Sequence, residues 1–175
     1  MTSAMQPAAF SDAFSDVLDA NEAHAQTFVS PQTGGVARRG LAIVTCMDSR
    51  VDPLRIVGMK AGDAKILRNA GARVTEDVLR TLVLATHLLG VSRILVMPHT
   101  DCRMAISDEK AIHEEIWAKS GIDIRSVEIR TVTDQPAALA LDVQRLRSYP
   151  LLPAGTQVMG AVYDVTTGKL APTST

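Results

Sequence analysis

The chain has 175 residues, the size of one ordinary domain at ~100–200 residues each. Hydrophobic residues make up 46% and charged residues 21%, which excludes whole-chain disorder and collagen-like architecture. Lys and Arg number 18 against 19 Asp and Glu, and there are one Trp, two Tyr and three Phe. That leaves neither a basic footprint nor an aromatic platform for nucleic acid.

The core must be aliphatic. The opening segment MTSAMQPAAFSDAFSDVLDA carries no basic region followed by an apolar stretch, so no leader is expected. No run approaches the ~18 apolar residues of a membrane span. Two cysteines, Cys46 and Cys102, do not make the disulfide framework of a small secreted domain. Reduced thiols, a cytoplasmic location and no membrane partner are expected.

Taken in chain order, residues 1–10 are small, polar and Pro-containing and are expected to be flexible. Residues 11–175 are expected to form a single domain with an amino-terminal helical arm. Ser11–Phe28 reads as that helix, with Ser11 as N-cap and Phe14, Val17, Leu18 and Ala25 at helical spacing. Leu41–Thr45 is a short apolar run suited to a strand buried on both faces. Asp52-Pro53 opens a short helix, and Ala64–Arg68 is a second strand. Thr75 caps the helix TEDVLRTLVLATHLLG, which Gly90 ends. Arg93–Met97 is a third strand, Asp108–Ser120 a helix, and Ile122–Val132, with its alternation, a fourth strand. Pro136–Ser148 is a helix, Gln157–Val165 a fifth strand, and Thr167-Gly168 turns into a short tail. Repeated strand–helix units predict an α/β fold with a mostly parallel central sheet flanked by helices.

Sites in such sheets form at the carboxyl ends of strands, where the strand order reverses. Three polar segments follow predicted strands: CMDSR at 46–50, RNAG at 68–71 and HTDCRM at 99–104. A lone Cys there is usually a small buried hydrophobe, and a lone His a satisfied polar residue. Together Cys46, His99 and Cys102 would converge if strands one and three are neighbours. Two thiolates and an imidazole suit Zn²⁺, and three protein ligands leave the open position of a catalytic zinc. His24, His87 and His113 fall on helices and read as solvent-facing or core residues, with His87 expected to be buried and satisfied. Met47, Met59, Met97 and Met104 read as core or gap-filling residues. The run DEKAIHEEIW reads as a solvated helix face.

The order CMDSR, RNAG, HTDC resembles the β-class carbonic anhydrases, in particular the compact bacterial members, over Leu41 to Leu170. By that resemblance Cys46, His99 and Cys102 hold one Zn²⁺ per chain and Asp48 and Arg50 form a catalytic dyad. The implied reaction is reversible hydration of carbon dioxide to bicarbonate and a proton by a zinc-bound hydroxide. The resemblance also implies a homodimer or a multiple of dimers, with the amino-terminal helix embracing the partner. Two thiolates leave a roughly neutral metal site, so a carboxylate such as Asp48 is needed to orient water, and Arg50 would hold it by a charge-assisted pair. Taken without Cys46, Asp48 and Arg50 would read as a surface ion pair. Arg68 and the rest of RNAG are expected to be structural.

One departure is Arg103, where the family usually has Gly; a left-handed backbone there would be strained. A second is the absence of aromatic pocket residues; Val74, Met47 and Leu88 are candidates for the apolar wall, against core packing. Hydrolysis of carbonyl sulfide or carbon disulfide on the same fold, and a non-catalytic zinc-binding protein, are the alternatives. No G-x-G-x-x-G follows a predicted strand, and the zinc deaminase motifs are absent.

Overall fold

The aliphatic run Leu41–Cys46 forms strand β1, and all six of its residues are buried. It pairs in parallel with β2, Ala64–Asn69, on one side and with β3, Arg93–Met97, on the other. A fourth strand, β4, Gln157–Tyr163, extends the sheet in parallel from β3. The computed structural model describes residues 12–30 and 34–173. The chain divides into two units, Met1–Gln32 and Thr33–Thr175.

In the second unit the helices are α2, Pro53–Ile56; α3, Glu76–Leu88; α4, Arg103–Ile106; α5, Glu109–Ser120; and α6, Gln135–Arg147. Side chains of β1 and β3 alternate between two faces. Ala42, Val44, Ile94 and Val96 pack under α3 and α6 against Leu79, Leu82, Val143 and Leu146. Leu41, Ile43, Leu95 and Met97 face the other way, with Val51 and the half-buried Ile56, Val57 and Met59 around α2. That second face is thinly covered: Leu41, Val57, Met59, Leu95 and Leu170 border an open groove of about 510 Å³.

The helix boundaries follow their caps. Asp52 accepts a hydrogen bond from the Arg55 N–H and Pro53 sits in the first turn of α2. Thr75 accepts from the Val78 N–H at the start of α3, and Asp108 and Asp134 cap α5 and α6 in the same way. Gly90 follows α3 with φ 73°, and a Cβ there would stand 2.8 Å from Val36 Cγ1. In the first unit, α1 covers Ser15–Thr27 after a short 3₁₀ turn, and buries no residue. The expected cap Ser11 and residues 1–10 lie outside the described residues.

Two expectations are corrected. Ile122–Val132 is not a strand: the segment is irregular, with Ile122 60% and Val127 50% exposed. Alternation alone does not make a strand without a face to bury and an edge to pair with. Asp123 captures the N–H and guanidinium of Arg125 locally, and Glu109 takes the N–H of Ile129, so these groups are satisfied outside a ladder. The tail is in part a strand: β5, Leu170–Pro172, pairs antiparallel with β4, giving the order β2-β1-β3-β4-β5. Asp164 makes the turn before it by accepting from the N–H groups of Thr166 and Thr167.

Asp63, 8% exposed, ties the entry of β2 to the loop before β1. It accepts from Lys60 N–H at 3.1 Å and from Arg38 Nη2 at 2.8 Å. The Lys60 N–H, with Arg38, lowers its pKa against the opposing effect of burial. A lowered carboxylate pKa stabilises the fold above the unfolded value of about 3.9, and the contribution is lost as pH falls through the folded value. Asp63→Asn should therefore lower the Tm at pH 7, with the gap to the unsubstituted protein narrowing as melts are repeated at pH 4 and 3.

Candidate metal centre

β1 runs to β2 on one side, and the chain then crosses to β3 and β4 on the other. The order reverses between β1 and β3, so their carboxyl ends open the crevice where ligands bind in such sheets. Cys46 is the last residue of β1. His99 follows β3, bridges in parallel to Tyr163 of β4, and is fully buried. Cys102 precedes α4 and is 3% exposed. The three ligand atoms lie within 4.8 Å of one another, so the sequence expectation that they converge holds.

Their geometry fits a metal. The two Sγ atoms are 4.0 Å apart, close to the ~3.8 Å that tetrahedral angles and Zn–S bonds of about 2.3 Å require. His99 Nδ1 stands 2.7 Å from the Thr100 carbonyl; the oxygen accepts, so Nδ1 carries the proton and Nε2 presents a lone pair. Nε2 is the buried side-chain atom without a hydrogen-bond partner among the described residues, a costly state unless another ligand takes it. Burial, with the Cys46 sulfur beside it, pushes the Cys102 thiol above its ordinary range, because both disfavour the thiolate.

Asp48 borders this group, with Oδ2 3.7 Å from His99 Nε2. Arg50 grips it through three donors: its N–H and Nε to Oδ1 at 2.9 Å each, and Nη2 to Oδ2 at 2.8 Å. The Arg50 hydrogen bonds hold the Asp48 carboxyl well below the usual carboxylate range, against a smaller effect of burial, and Arg50 is raised in turn, Asp48 first and Asp101 second. Arg68, from RNAG, donates to the carbonyls of Cys46 at 2.9 Å and Asp48 at 2.6 Å. Asn69 closes the next turn by exchanging hydrogen bonds with the backbone of Arg73. Gly71 has φ 81°, and a Cβ there would meet Met104 Cβ at 3.1 Å. Met104 and Ala105 pack on the cluster of Cys46, Ala72 and Cys102.

A model of the carbonic anhydrase family matches residues 41–170. The chain belongs to the β-class carbonic anhydrases. It is 34% identical to β-carbonic anhydrase 1 of Mycobacterium tuberculosis over 89% of this chain and 94% of that one. The crystal structure of carbonic anhydrase from Streptococcus mutans superposes with a TM-score of 0.85 and 35% identity, over 92% of this chain and 97% of that one. A carbon disulfide hydrolase of Acidithiobacillus thiooxidans is 28% identical over 86% of this chain and 85% of its own. Zinc is the metal of this family, and the Cys46, His99, Cys102 set fits it.

Arg103, which stands where the family usually has Gly, carries no left-handed strain. It is the first residue of α4, and the positive φ of this loop, 54°, falls on Asp101. Its guanidinium pairs with Glu115 on α5. Of the candidate wall residues, Val74 is core, 1% exposed. Leu88, 69% exposed, ends α3 beside the starts of β1 and β3, at the opposite end of the sheet. Met47 is 66% exposed, whereas Met97 is buried as expected. His87 is exposed rather than buried, its Nε2 3.0 Å from the Leu151 carbonyl. Two contributors were missed: Gln135, which donates to the His99 carbonyl at 3.0 Å, and Asp101, whose carboxylate accepts from Arg50 Nη1 at 2.7 Å.

Proposed function

We propose that this chain catalyses the reversible hydration of carbon dioxide to bicarbonate and a proton, with Cys46, His99 and Cys102 holding one zinc ion and Asp48 and Arg50 acting beside it. The observation that carries the reading is the orphaned, buried Nε2 of His99 facing two buried thiols with an anionic carboxylate 3.7 Å away. Bound zinc supplies the Lewis acidity that makes water a nucleophile near neutral pH. Two thiolates offset its charge, so the protein must supply the rest of the activation. Asp48 does this as a hydrogen-bond acceptor: its Oδ2 would accept a hydrogen bond from the reacting water and fix which lone pair faces carbon dioxide. Arg50 keeps Asp48 ionised and its carboxylate plane fixed. The Thr100 carbonyl keeps the His99 ring from rotating, and Gln135 anchors the His99 backbone through its carbonyl. As a zinc ligand the Cys102 thiol would give up its proton.

The chain acts as a homodimer or a multiple of dimers in this reading, with residues 11–175 as one zinc-enzyme domain whose helical arm lies on a second copy. Two observations support the arm: Phe14 just before α1, and Val17 and Leu18 within it, are at least half exposed, and the thinly covered sheet face offers an apolar groove. A cytoplasmic location accords with reduced cysteines, and among the described residues no helix is long and apolar enough to cross a membrane.

The test is stopped-flow carbon dioxide hydration near pH 7 to 9 on protein of confirmed zinc content, run beside sulfide release from carbon disulfide and carbonyl sulfide. Rapid hydration is expected. Sulfide release without hydration would transfer the same site to the hydrolase chemistry for which one relative is named, and zinc at full occupancy with no turnover of any of the three would leave a binding protein.

A further inference from the structure

A guanidinium offers five N–H donors, and the carboxylate of Asp48 engages only one of its edges. The other side of Arg50 is taken by Asp101. Its carboxylate accepts from Nη1 at 2.7 Å and its backbone carbonyl from Nη2 at 3.1 Å. Asp101 lies between His99 and Cys102, on the loop that leaves β3, whereas Asp48 and Arg50 lie on the loop that leaves β1. The residue adopts φ 54°, a left-handed conformation that Asp tolerates better than most side chains. In that conformation both acceptors of one residue reach the same guanidinium.

We propose that Asp101 is a positioning residue for the dyad: it fixes Arg50 against the histidine-bearing loop, and through Arg50 holds the Asp48 carboxylate over the metal position. The inference rests on the carbonic anhydrase reading for its consequence in catalysis, and on the hydrogen bonds alone for its structural part. The rival reading is a solvated ion pair. The side chains of Arg50 and Asp101 are 45% and 64% exposed, so their pairing contributes little to global stability. That weakness makes the proposal testable, because loss of the carboxylate should disturb the dyad without unfolding the domain.

The experiment compares the zinc-loaded full chain with Asp101→Gly, Asp101→Asn, Arg50→Ala and the Arg50→Ala, Asp101→Gly double variant. Gly and Asn both accept the left-handed backbone, and Asn keeps one acceptor oxygen without the charge. Asp101→Gly should retain one zinc per chain and a nearly unchanged Tm, while kcat falls about tenfold, equal to about 1.4 kcal/mol, with KM for carbon dioxide little altered. Asp101→Asn should recover part of the loss. In the Arg50→Ala background Asp101→Gly should have no further effect on kcat, because residues acting through one another are non-additive. In metal-free protein labelled with ¹⁵N-arginine, the Arg50 Nε–H should exchange with solvent faster in Asp101→Gly than in the unsubstituted chain.

Equal loss with and without Arg50, full recovery by Asp101→Asn, or unchanged Nε–H exchange would overturn the proposal. An unsubstituted protein with full zinc but no hydration would instead overturn the functional reading, and the exchange measurement would still decide whether Asp101 anchors Arg50.

Discussion

Cys46→Ala should abolish zinc retention and carbon dioxide hydration together. Loss of a ligand's outer hydrogen-bond partner alone typically weakens metal binding by ~10–100-fold, and removing one of three protein ligands exceeds that. Cys46 ends β1, flanked by β2 and β3, and is 5% exposed, and Asp48, the nearest carboxylate, is held by Arg50. The substitution removes a single sulfur, and the metal-free Tm should change little. What should vanish is the rise in Tm that zinc gives the unsubstituted protein, since a ligand stabilises only the state that binds it. Metal analysis after dialysis, with melts in the presence and absence of zinc, checks this. A variant that kept a full equivalent of zinc would place the metal elsewhere.

Asp48→Ala should give the opposite separation. The carboxylate borders the ligand atoms but is not needed to complete the three-residue set, so zinc content should hold at one per chain. Hydration should fall by about 10²–10⁴-fold, the usual contribution of a positioned proton acceptor. Arg50 then loses three of its contacts and keeps Asp101. Full activity in Asp48→Ala would remove the dyad from the mechanism.

Much of the metal centre can be read from CMDSR and HTDC because its ligands sit at the ends of strands whose composition announces them. Leu41–Val44 and Ile94–Met97 are unbroken apolar runs, and a strand buried on both faces marks where its polar continuation begins. What local pattern did not reveal depended on neighbours. Ile122–Val132 alternates like a strand, yet β5 takes the outer edge of β4, and the polar groups of the segment are satisfied locally by Asp123 and Glu109. Leu170–Pro172 is too short to show any period and becomes a strand only because Asp164 folds the turn before it. Met47 looks like a core residue, but it follows the last pleat of β1 and its side chain leaves the sheet. Asp101 did leave a trace in the sequence: an Asp in a tight loop accommodates positive φ, and a guanidinium beside one carboxylate has donors to spare. Linking the two required knowing that β1 and β3 are adjacent.

That adjacency also governs when the centre can exist. Cys46 and Cys102 are 56 positions apart along the chain, and all of β2, α3 and β3 must be in place before their sulfurs meet. Contacts of such sequence separation form late and set slow folding. A metal held by these sulfurs would therefore act as the final fastener rather than a nucleus. It should slow the opening of the finished sheet and leave the speed of its assembly untouched, so the chain folds as a protein first and becomes a catalyst last.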